Sequence, residues 1–191
     1  TYIVKDQSPL VRPAHATVEN ACQAMFKRVA GSTLVSDDQR HLVGIFTGRD
    51  AVRLLAQSKD AGRTRLAEAM TANPVTITPK DHAIDALRSM SEGNFRHVPV
   101  IEGGRISGVV SLGDFKGMEI EEFLWPHVRN ATETNGNRLI AQIVHDQTPL
   151  MCGEDETVQQ ACQLMSESNA GSVVIVDDQK RLSGIFTGRD A

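Results

Sequence analysis

The chain is poor in three features that mark large classes of proteins. It has only three cysteines, Cys22, Cys152 and Cys162, and none forms a CxxC pair, which excludes a disulfide framework. Its longest apolar run, residues 173–176, has the length of a strand and not of a bilayer-spanning helix. Its net charge of −4 gives no basic excess for nucleic acid or anionic lipid. We therefore expect no nucleic-acid partner and no membrane insertion, and we expect the cysteines to be small core residues.

Signatures of catalysis are also missing. The sequence contains no P-loop, no GxGxxG and no HExxH, and its six histidines lack metal-ligand spacing. No serine, cysteine or acid lies in a recognisable nucleophile motif. We expect this chain not to be an enzyme, with no catalytic residue, no metal site and no required cofactor. Residues 1–6 show no secretory signal, which predicts a cytoplasmic location.

What the chain does contain is a repeat. The string GIFTGRDA occurs at residues 44–51 and again at 184–191. An offset of 140 residues aligns 3–51 with 143–191 without a gap, and roughly half of the pairs are identical. An offset of 65 places Pro9 on Pro74 and Met25 on Met90, which reveals a diverged copy between them. The chain therefore holds three copies of one unit, and the first and third are sisters.

Each copy has the pattern strand, helix, strand, strand, helix, which predicts an α/β (α+β) fold with a small three-stranded sheet in each repeat. In the second copy, Thr78 and Pro79 are typical of a helix cap and first turn. Gly103 and Gly104 predict a tight hairpin between two strands. In the first and third copies, the sequence predicts helix caps at Thr17 and Thr157, strands at 33–36 and 173–176, and strands at 42–47 and 182–187.

These patterns predict repeats at 3–58, 69–122 and 139–191, with a helix end and linker at 123–138. The polar stretch 57–69 falls largely outside them, and the third repeat stops before its last helix. One unit has little apolar surface with which to close a core alone, so we expect the second repeat to pair with the first.

Two motifs recur in every repeat. One is Gly, two apolar residues, Ser or Thr, two variable residues and Asp, at 44–50, 108–114 and 184–190. The other is an apolar strand that runs into a polar turn. Together these motifs resemble the cystathionine-beta-synthase (CBS) domain family, whose repeats pair as Bateman modules. The resemblance covers nearly the whole chain apart from the linker. It implies a regulatory module that binds an adenosine-containing nucleotide (AMP, ADP, ATP or a relative). Mg²⁺ can be bound together with that nucleotide.

The Gly-to-Asp motif has a chemistry that suits a nucleotide. A hydroxyl at the end of a strand, followed by helix amides, offers hydrogen-bond donors to a phosphate, and an ionised carboxylate accepts from ribose hydroxyls. The resemblance assigns ribose contacts to the aspartates and phosphate contacts to the hydroxyl residues. These are Asp50, Asp114 and Asp190, with Thr47, Ser111 and Thr187. The alternative is that the aspartates only cap the following helices, a contribution of about 1 kcal/mol each.

Cations near the motif distinguish the repeats. Arg49 and Arg189 precede the aspartate in the sister copies, whereas Arg96 and His97 precede the first hairpin strand of the second copy. Arginine suits phosphate because its fork binds two oxygens at once. We expect Arg96 and His97 to be the main phosphate contacts. The alternative is a solvated pair at a strand edge.

The sequence is compatible with three functions. The first is a nucleotide sensor whose ligand, in the cleft between paired repeats, changes their arrangement through unequal affinity for two states. The second is a ligand-free scaffold for subunit assembly or partner docking. The third is the regulatory fragment of a larger enzyme or transporter. We also expect a homodimer, with contacts through helix faces that contain Val52, Leu55, Phe115 and Met118, and we expect the third repeat to be the least able to bind ligand.

Overall fold

The computed structural model describes residues 7–115 and 148–191. The chain divides into two compact units, each taken by itself below. One unit unites Pro9–Pro74 with Pro149–Ala191, which are the first and third repeats. The described part of the other unit holds residues 7–8, 75–115 and 148, which include most of the second repeat. The predicted linker at 123–138 and the predicted contact residue Met118 lie outside the described residues.

The first repeat has the predicted order of elements. It contains β1 (Val11–Pro13), α1 (Val18–Arg28), β2 (Ser32–Ser36), β3 (Leu42–Thr47) and α2 (Gly48–Ala56). β1 pairs with β2 in parallel, and β2 pairs with β3 in antiparallel fashion. The Thr17 hydroxyl accepts a hydrogen bond from the Asn20 amide at 3.2 Å, so the predicted cap of α1 is confirmed. The core between helices and sheet includes Val18, Phe46 and Leu54.

A segment after α2 folds back over this repeat. Residues 61–72, hereafter the strap, contain the one-turn helix α3 (Leu66–Ala69) and the short strand β4 (Thr71–Ala72). β4 pairs antiparallel with β3, and Leu66 is fully buried in the core. The sheet therefore has four strands where the sequence predicts three, because the strap supplies the extra edge strand.

The second repeat contains α4 (Ala83–Gly93), β5 (His97–Glu102) and β6 (Arg105–Ser111), followed by a 3₁₀ turn, Leu112–Asp114. β5 and β6 form the predicted hairpin, and Gly103 and Gly104 both have positive φ, as its tight turn requires. This described sheet has two strands rather than the predicted three, since Ile77 makes only an isolated bridge to Val100.

The predicted start of the helix in the second repeat is wrong. The helix begins at Ala83, not at Pro79, because Thr78 and Asp81 close a separate turn. In that turn the Thr78 amide donates to the Asp81 carboxylate at 2.6 Å. The His82 amide then donates to the Asp85 carboxylate at 3.3 Å, and this second turn is the one that opens α4.

Two segments near the starts of repeats contact elements of another repeat. The strap leads into the second repeat in sequence, yet it completes the sheet of the first. Gln7, near the start of the first repeat, accepts a hydrogen bond from the Val109 amide of β6 at 3.1 Å. The pairing of repeats one and two stays a prediction.

The third repeat contains β7 (Met151–Gly153), α5 (Val158–Glu167), β8 (Ser172–Val176) and β9 (Leu182–Thr187). Its three strands pair in the order β7-β8-β9, the three-stranded sheet that the sequence predicts. The Thr157 hydroxyl accepts from the Gln160 amide at 3.2 Å, which confirms the predicted cap. The chain passes from β9 into a turn at residues 188–190.

The first and third repeats share an apolar core. Helix α2 packs on α5, and Val52 lies in a buried cluster with Cys162, Met165 and Val173. The Gln163 side-chain amide donates to the Ala56 carbonyl at 3.3 Å across this contact. The apolar face of α2 therefore belongs to the interior of one unit.

This packing corrects the predicted dimer contacts. Val52 and Leu55 are covered by the third repeat of the same chain, because α5 presents a complementary apolar stripe. Phe115 is also unavailable as an outer contact, since it lies in the core of the second repeat at 3% exposure. Homodimer formation stays a prediction, without these three residues as its surface.

The cysteines behave as the sequence predicts. All three are free, Cys152 and Cys162 are buried, and Cys22 is partly buried. Burial raises the pKa of the Cys22 and Cys162 thiols, and at Cys152 the neighbouring Glu156 charge adds to the same effect. Protonated thiols are poor nucleophiles, which suits packing residues.

Candidate functional site

All three repeats end their last hairpin strand in the same hydrogen-bonded turn. The backbone amide and the side-chain hydroxyl of the Thr or Ser both donate to Oδ2 of the Asp three residues later, at 2.7–2.9 Å. The pairs are Thr47 with Asp50, Ser111 with Asp114, and Thr187 with Asp190. Because these bonds use only Oδ2, Oδ1 is the oxygen that can accept from a further donor.

In the first repeat that second oxygen is already engaged. Oδ1 of Asp50 lies 3.4 Å from both the Arg53 guanidinium and the Thr71 hydroxyl, and the side chain is 3% exposed. Thr71 belongs to the strap, so the strap helps to bury the carboxylate. A ribose could reach Asp50 only by displacing one of these donors. The structure thus gives Asp50 a capping role and leaves its ribose role a prediction.

In the third repeat the same carboxylate is exposed. Hydrogen bonds from the Thr187 hydroxyl and amide, with a smaller contribution from the Arg189 charge, lower the pKa of Asp190. The Arg189 amide donates to the Thr187 hydroxyl at 3.2 Å, which fixes the turn. Asp190 therefore stays ionised at neutral pH and presents Oδ1 to solvent, although no helix follows it in the described residues. Arg49, at the sister position of Arg189, is exposed as well.

The second repeat gathers four predicted site residues at one end of its hairpin. His97 lies opposite Ser111 in the β5–β6 register, and the Arg96 carbonyl accepts from the Leu112 amide at 2.9 Å. Asp114 is exposed at the same end. The structure therefore brings Arg96, His97, Ser111 and Asp114 to the same end of the hairpin, and their role as nucleotide contacts stays a prediction.

Electrostatics at this end favour an uncharged imidazole. Burial is the main cause that lowers the pKa of His97; the Arg96 charge lowers it further, and Asp114 opposes both. His97 is consequently neutral at pH 7 and offers one N–H donor rather than a positive charge. The cationic part of the predicted phosphate contact thus rests on Arg96.

The two identical motifs of the sister repeats touch at their glycines. A Cβ added to Gly48 would collide with the carbonyl oxygen of Gly188, and a Cβ on Gly188 would lie 3.2 Å from the Gly48 carbonyl. The second repeat has Leu112 at this position, and that side chain is exposed. Sequence reasoning missed this contact, although Gly in both sisters against Leu in the second copy was a signal of it. It also missed Thr71, which carried no motif.

A cavity of about 440 Å³ opens in the third repeat, and its lining reaches Phe186, next to the Thr187–Asp190 turn. Its apolar wall includes Cys152, Val158, Ile185 and Phe186, and its rim includes Glu154 and Glu156. None of the nine residues predicted to bind nucleotide lines it. The cavity therefore borders the turn of the third repeat without including any of its predicted contact residues.

Two features of the described residues bear on other functions. Within residues 7–115 and 148–191, no group of three or more His, Cys, Asp or Glu side chains is placed to hold a metal ion. In that same part of the chain, no helix combines the length and the apolar character needed to cross a bilayer.

The repeated strand-helix-strand-strand unit, with a hydroxyl–carboxylate turn at the end of each hairpin, defines a tandem-repeat domain of mixed α/β type. The CBS domain profile matches residues 66–118 and 140–191, more than half of the chain. The chain belongs to the CBS domain family, and the resemblance drawn from its motifs is confirmed.

The chain is also similar to individual known proteins. An uncharacterized protein of Methanocaldococcus jannaschii is 20% identical over 187 residues, which cover 98% of this chain and 66% of that relative's length. A CBS domain protein from Pyrobaculum aerophilum complexed with AMP has a TM-score of 0.59 at 24% identity, over 64% of this chain and 95% of that one; this likeness shows the fold.

A second solved structure is the CBS domain pair of protein MJ0100 in complex with 5′-methylthioadenosine and S-adenosyl-L-methionine. It is 28% identical with a TM-score of 0.53, and the match covers 58% of this chain and 93% of that one. The mixed α/β fold of tandem CBS repeats is therefore shown.

Proposed function

We propose that this chain is a regulatory module that binds an adenosine-containing ligand through its second repeat. The observation that carries the proposal is the convergence of Arg96, His97, Ser111 and Asp114 at one end of the β5–β6 hairpin. Arg96 supplies a cation for phosphate, and Oδ1 of Asp114 supplies an acceptor for a ribose hydroxyl. The similar CBS pair that binds 5′-methylthioadenosine and S-adenosyl-L-methionine supports the adenosine part, since both ligands contain adenosine.

The three copies rank in a definite order. The second repeat is first because it combines an exposed carboxylate with an arginine and a histidine. The third repeat follows, with exposed Asp190 next to Arg189 but Gly171 and Ser172 where the second has Arg96 and His97. The first repeat is last, because both oxygens of Asp50 have donors within the protein. This order reverses the sequence expectation, which placed the third copy last.

Binding becomes regulation when the ligand has unequal affinity for two arrangements of the repeats. The ligand then occupies the cleft between paired repeats and favours the arrangement that it binds more tightly. The module itself is not catalytic in this proposal. Any enzyme or transporter that it regulates lies on a partner or on another part of a longer protein.

A ligand-free scaffold is the second candidate, and one observation favours it for the first repeat. Asp50 is buried and fully engaged in closing a turn, as expected for a purely structural residue. If all three aspartates act this way, the repeats serve assembly alone.

Thermal unfolding with adenosine, AMP, ADP, ATP, S-adenosylmethionine and NAD, with and without Mg²⁺, tests the proposal. A ligand present at about 100 times its Kd adds roughly 2.7 kcal/mol to the free energy of unfolding. We expect this stabilisation with at least one of the six ligands. No stabilisation by any of them would leave the scaffold as the function.

Two variants locate the site. Asp114→Ala removes the ribose acceptor and its cap, so ligand stabilisation is measured against the variant's own unliganded protein. Glu102→Ala is the matched control, since it removes an exposed carboxylate at the other end of the same hairpin. We expect Asp114→Ala to abolish the ligand effect and Glu102→Ala to preserve it; equal effects would remove Asp114 from the site.

Arg96 is tested by comparing AMP with adenosine. A hydrogen bond to a charged group is worth about 1.5–3 kcal/mol, so Arg96→Ala should weaken AMP roughly 10- to 100-fold. It should leave adenosine nearly unchanged, since adenosine has no phosphate. Equal weakening of both ligands would argue against a phosphate contact.

A further inference from the structure

His97 distinguishes the second repeat from its two sisters. It pairs with Ser111 across the β5–β6 ladder, beside the hydroxyl–carboxylate turn. In the other two repeats the same ladder position holds a serine, Ser32 or Ser172. A serine hydroxyl does not titrate near neutral pH, whereas an imidazole does. Of the three copies, the second is therefore the one that places a titratable group at this position.

The His97 side chain lies on the face of the hairpin that is turned away from α4. Successive residues of a strand point to opposite faces, and Val98 and Val100 of β5 pack in the core with α4. The side chain of His97 is half-buried on the other face. Helix α4 carries its ionisable residues on the far side of the sheet, namely Asp85, Arg88 and Glu92.

Two charges of the described chain act on the His97 imidazole. Arg96 precedes it in sequence, and Asp114 is held nearby by the hydroxyl of Ser111, which donates to Oδ2 at 2.8 Å. Burial lowers the pKa of His97, the Arg96 charge lowers it further, and the Asp114 charge opposes both. Without a ligand, the imidazole therefore gains its proton only at a more acidic pH than an ordinary histidine.

A phosphate at this end of the hairpin would reverse that balance. A phosphate monoester has a second pKa of about 6, so it carries close to two negative charges at pH 7. Paired with Arg96, it would cancel the charge that repels a proton from His97. Its own negative charge beside the imidazole would raise the pKa of His97. The protonated ring would then donate a charge-assisted hydrogen bond to the phosphate, which is stronger than a neutral one.

We propose that the second repeat takes up a proton at His97 when it binds an adenosine ligand that carries a phosphate. This inference rests on the proposed function, because it needs a ligand at Arg96 and Asp114. Affinity for AMP then increases as the pH falls, by up to about tenfold for each pH unit, while affinity for adenosine stays constant. His97 thereby selects ligands with a phosphate, and the module responds to ligand and acidity together.

The other two repeats offer no such proton acceptor. A ligand at the third repeat would meet Arg189 and Ser172, and neither side chain gains a proton near pH 7. At the first repeat, Ser32 occupies the ladder position of His97. Proton uptake on ligand binding is therefore a signal that belongs to the second repeat.

Calorimetry of the full chain at pH 7 measures the uptake directly. AMP, ADP and ATP are titrated in buffers of different ionisation enthalpy, with adenosine as the ligand that lacks a phosphate. We expect an uptake of about 0.5–1 proton for each phosphorylated ligand bound and about none for adenosine. The phosphate itself would release protons on pairing with Arg96, which is the opposite sign. An uptake no larger for the phosphorylated ligands than for adenosine would overturn the proposal.

Two histidine variants assign the proton. His97→Gln keeps an N–H donor but has no titratable group, so we expect it to abolish the uptake. His82→Gln is the matched control, because it removes an exposed imidazole from the same repeat at the start of α4, and it should preserve the uptake. Uptake that persists in His97→Gln would assign the proton to another group and overturn the proposal.

Affinity at two pH values gives an independent readout. The unmodified chain should bind AMP at least about fivefold more tightly at pH 6.5 than at pH 8, and adenosine equally at both within about twofold. In His97→Gln the AMP affinity should change by less than about twofold. A ratio of AMP to adenosine affinity that is the same at both pH values would overturn the proposal.

The ligand panel separates this inference from the proposed function. A chain that binds S-adenosylmethionine or adenosine but none of AMP, ADP and ATP would retain the proposed function and contradict the proton uptake. A chain that binds no adenosine ligand would contradict both.

Discussion

The first and third repeats have almost the same sequence but different environments. Both end in the identical string GIFTGRDA, yet Ile45 is buried and Ile185 is exposed. The difference comes from the strap, a segment outside the duplicated sequence that covers one copy. In the first repeat, the burial of Ile45 therefore depends on the strap as well as on the repeat itself.

The same comparison holds for the candidate site. Asp50 and Asp190 form the same turn, but only Asp50 receives further donors from Arg53 and from Thr71 of the strap. A shared motif thus yields one enclosed carboxylate and one exposed carboxylate. Identity of sequence does not imply identity of surroundings.

The strap should give the largest effect on stability. Leu66 is fully buried in the first repeat, so Leu66→Ala should lower the free energy of unfolding by about 2–5 kcal/mol. Leu182→Ala, in the uncovered third repeat, should change it by less than about 0.5 kcal/mol, since that side chain is 74% exposed. Urea unfolding followed by circular dichroism measures both. Similar losses would show that the strap does not set the difference between the copies.

Disruption of the contact between Gly48 and Gly188 should give the second largest loss of stability. Gly48→Ala should destabilise the unit by about 1–3 kcal/mol, because the added methyl collides with the Gly188 carbonyl. Helix propensity alone would predict the opposite sign, since Gly48 is the first residue of α2. Gly113→Ala is the control, where the nearest atom is the Ser111 hydroxyl oxygen at 3.7 Å. A neutral or stabilising Gly48→Ala would mean that the sister motifs do not meet closely in solution.

A buried hydroxyl distinguishes the two cores. Oγ1 of Thr33 is buried without a hydrogen-bond partner, and the sister residue is Val173. Thr33→Val should raise the free energy of unfolding by about 1 kcal/mol, since an unsatisfied buried polar group is costly. The reverse change, Val173→Thr, should lower it. The same denaturation curves decide the matter, and a loss of stability in Thr33→Val would indicate a hidden partner for the hydroxyl.

The smallest effect is a pH dependence in the second repeat. Burial lowers the pKa of His97 in the folded chain below its ordinary value of 6.5, so the unfolded chain binds more protons between the two pKa values. Stability should therefore fall as pH drops through 6.5 toward the folded pKa, with the full loss reached below it. His97→Gln should flatten this slope in unfolding measured from pH 8 to pH 5. An unchanged slope would assign the pH dependence to other groups.

Much of the fold could be predicted from local patterns. The strands Leu42–Thr47 and Leu182–Thr187 have the predicted bounds, and the caps at Thr17 and Thr157 are confirmed. The alternation of apolar and polar residues in a strand and the capping of a helix each depend on a few adjacent residues, so both can be recognised in a sequence. The helix of the second repeat was placed too early because two cap-like turns follow one another, and local pattern does not rank them.

The features that the sequence did not predict depend on contacts between residues that lie far apart in the chain. The strap is a polar stretch with one fully buried leucine, and its role depends on a sheet that lies before it in the chain. The Gly48–Gly188 contact joins positions 140 residues apart, and the covering of Val52 by α5 is similarly distant. The gathering of Arg96 and His97 with Asp114 was predictable because one hairpin holds all three.

The discontinuity of the unit that contains the first and third repeats has a consequence for synthesis. Its halves, Pro9–Pro74 and Pro149–Ala191, are separated by the whole second repeat. At roughly 5–20 residues per second, α2 waits on the order of 5–20 s before α5 emerges to cover Val52 and Leu55. During that interval a nascent chain presents an apolar helix face, and transiently exposed apolar surface of this kind promotes aggregation during synthesis.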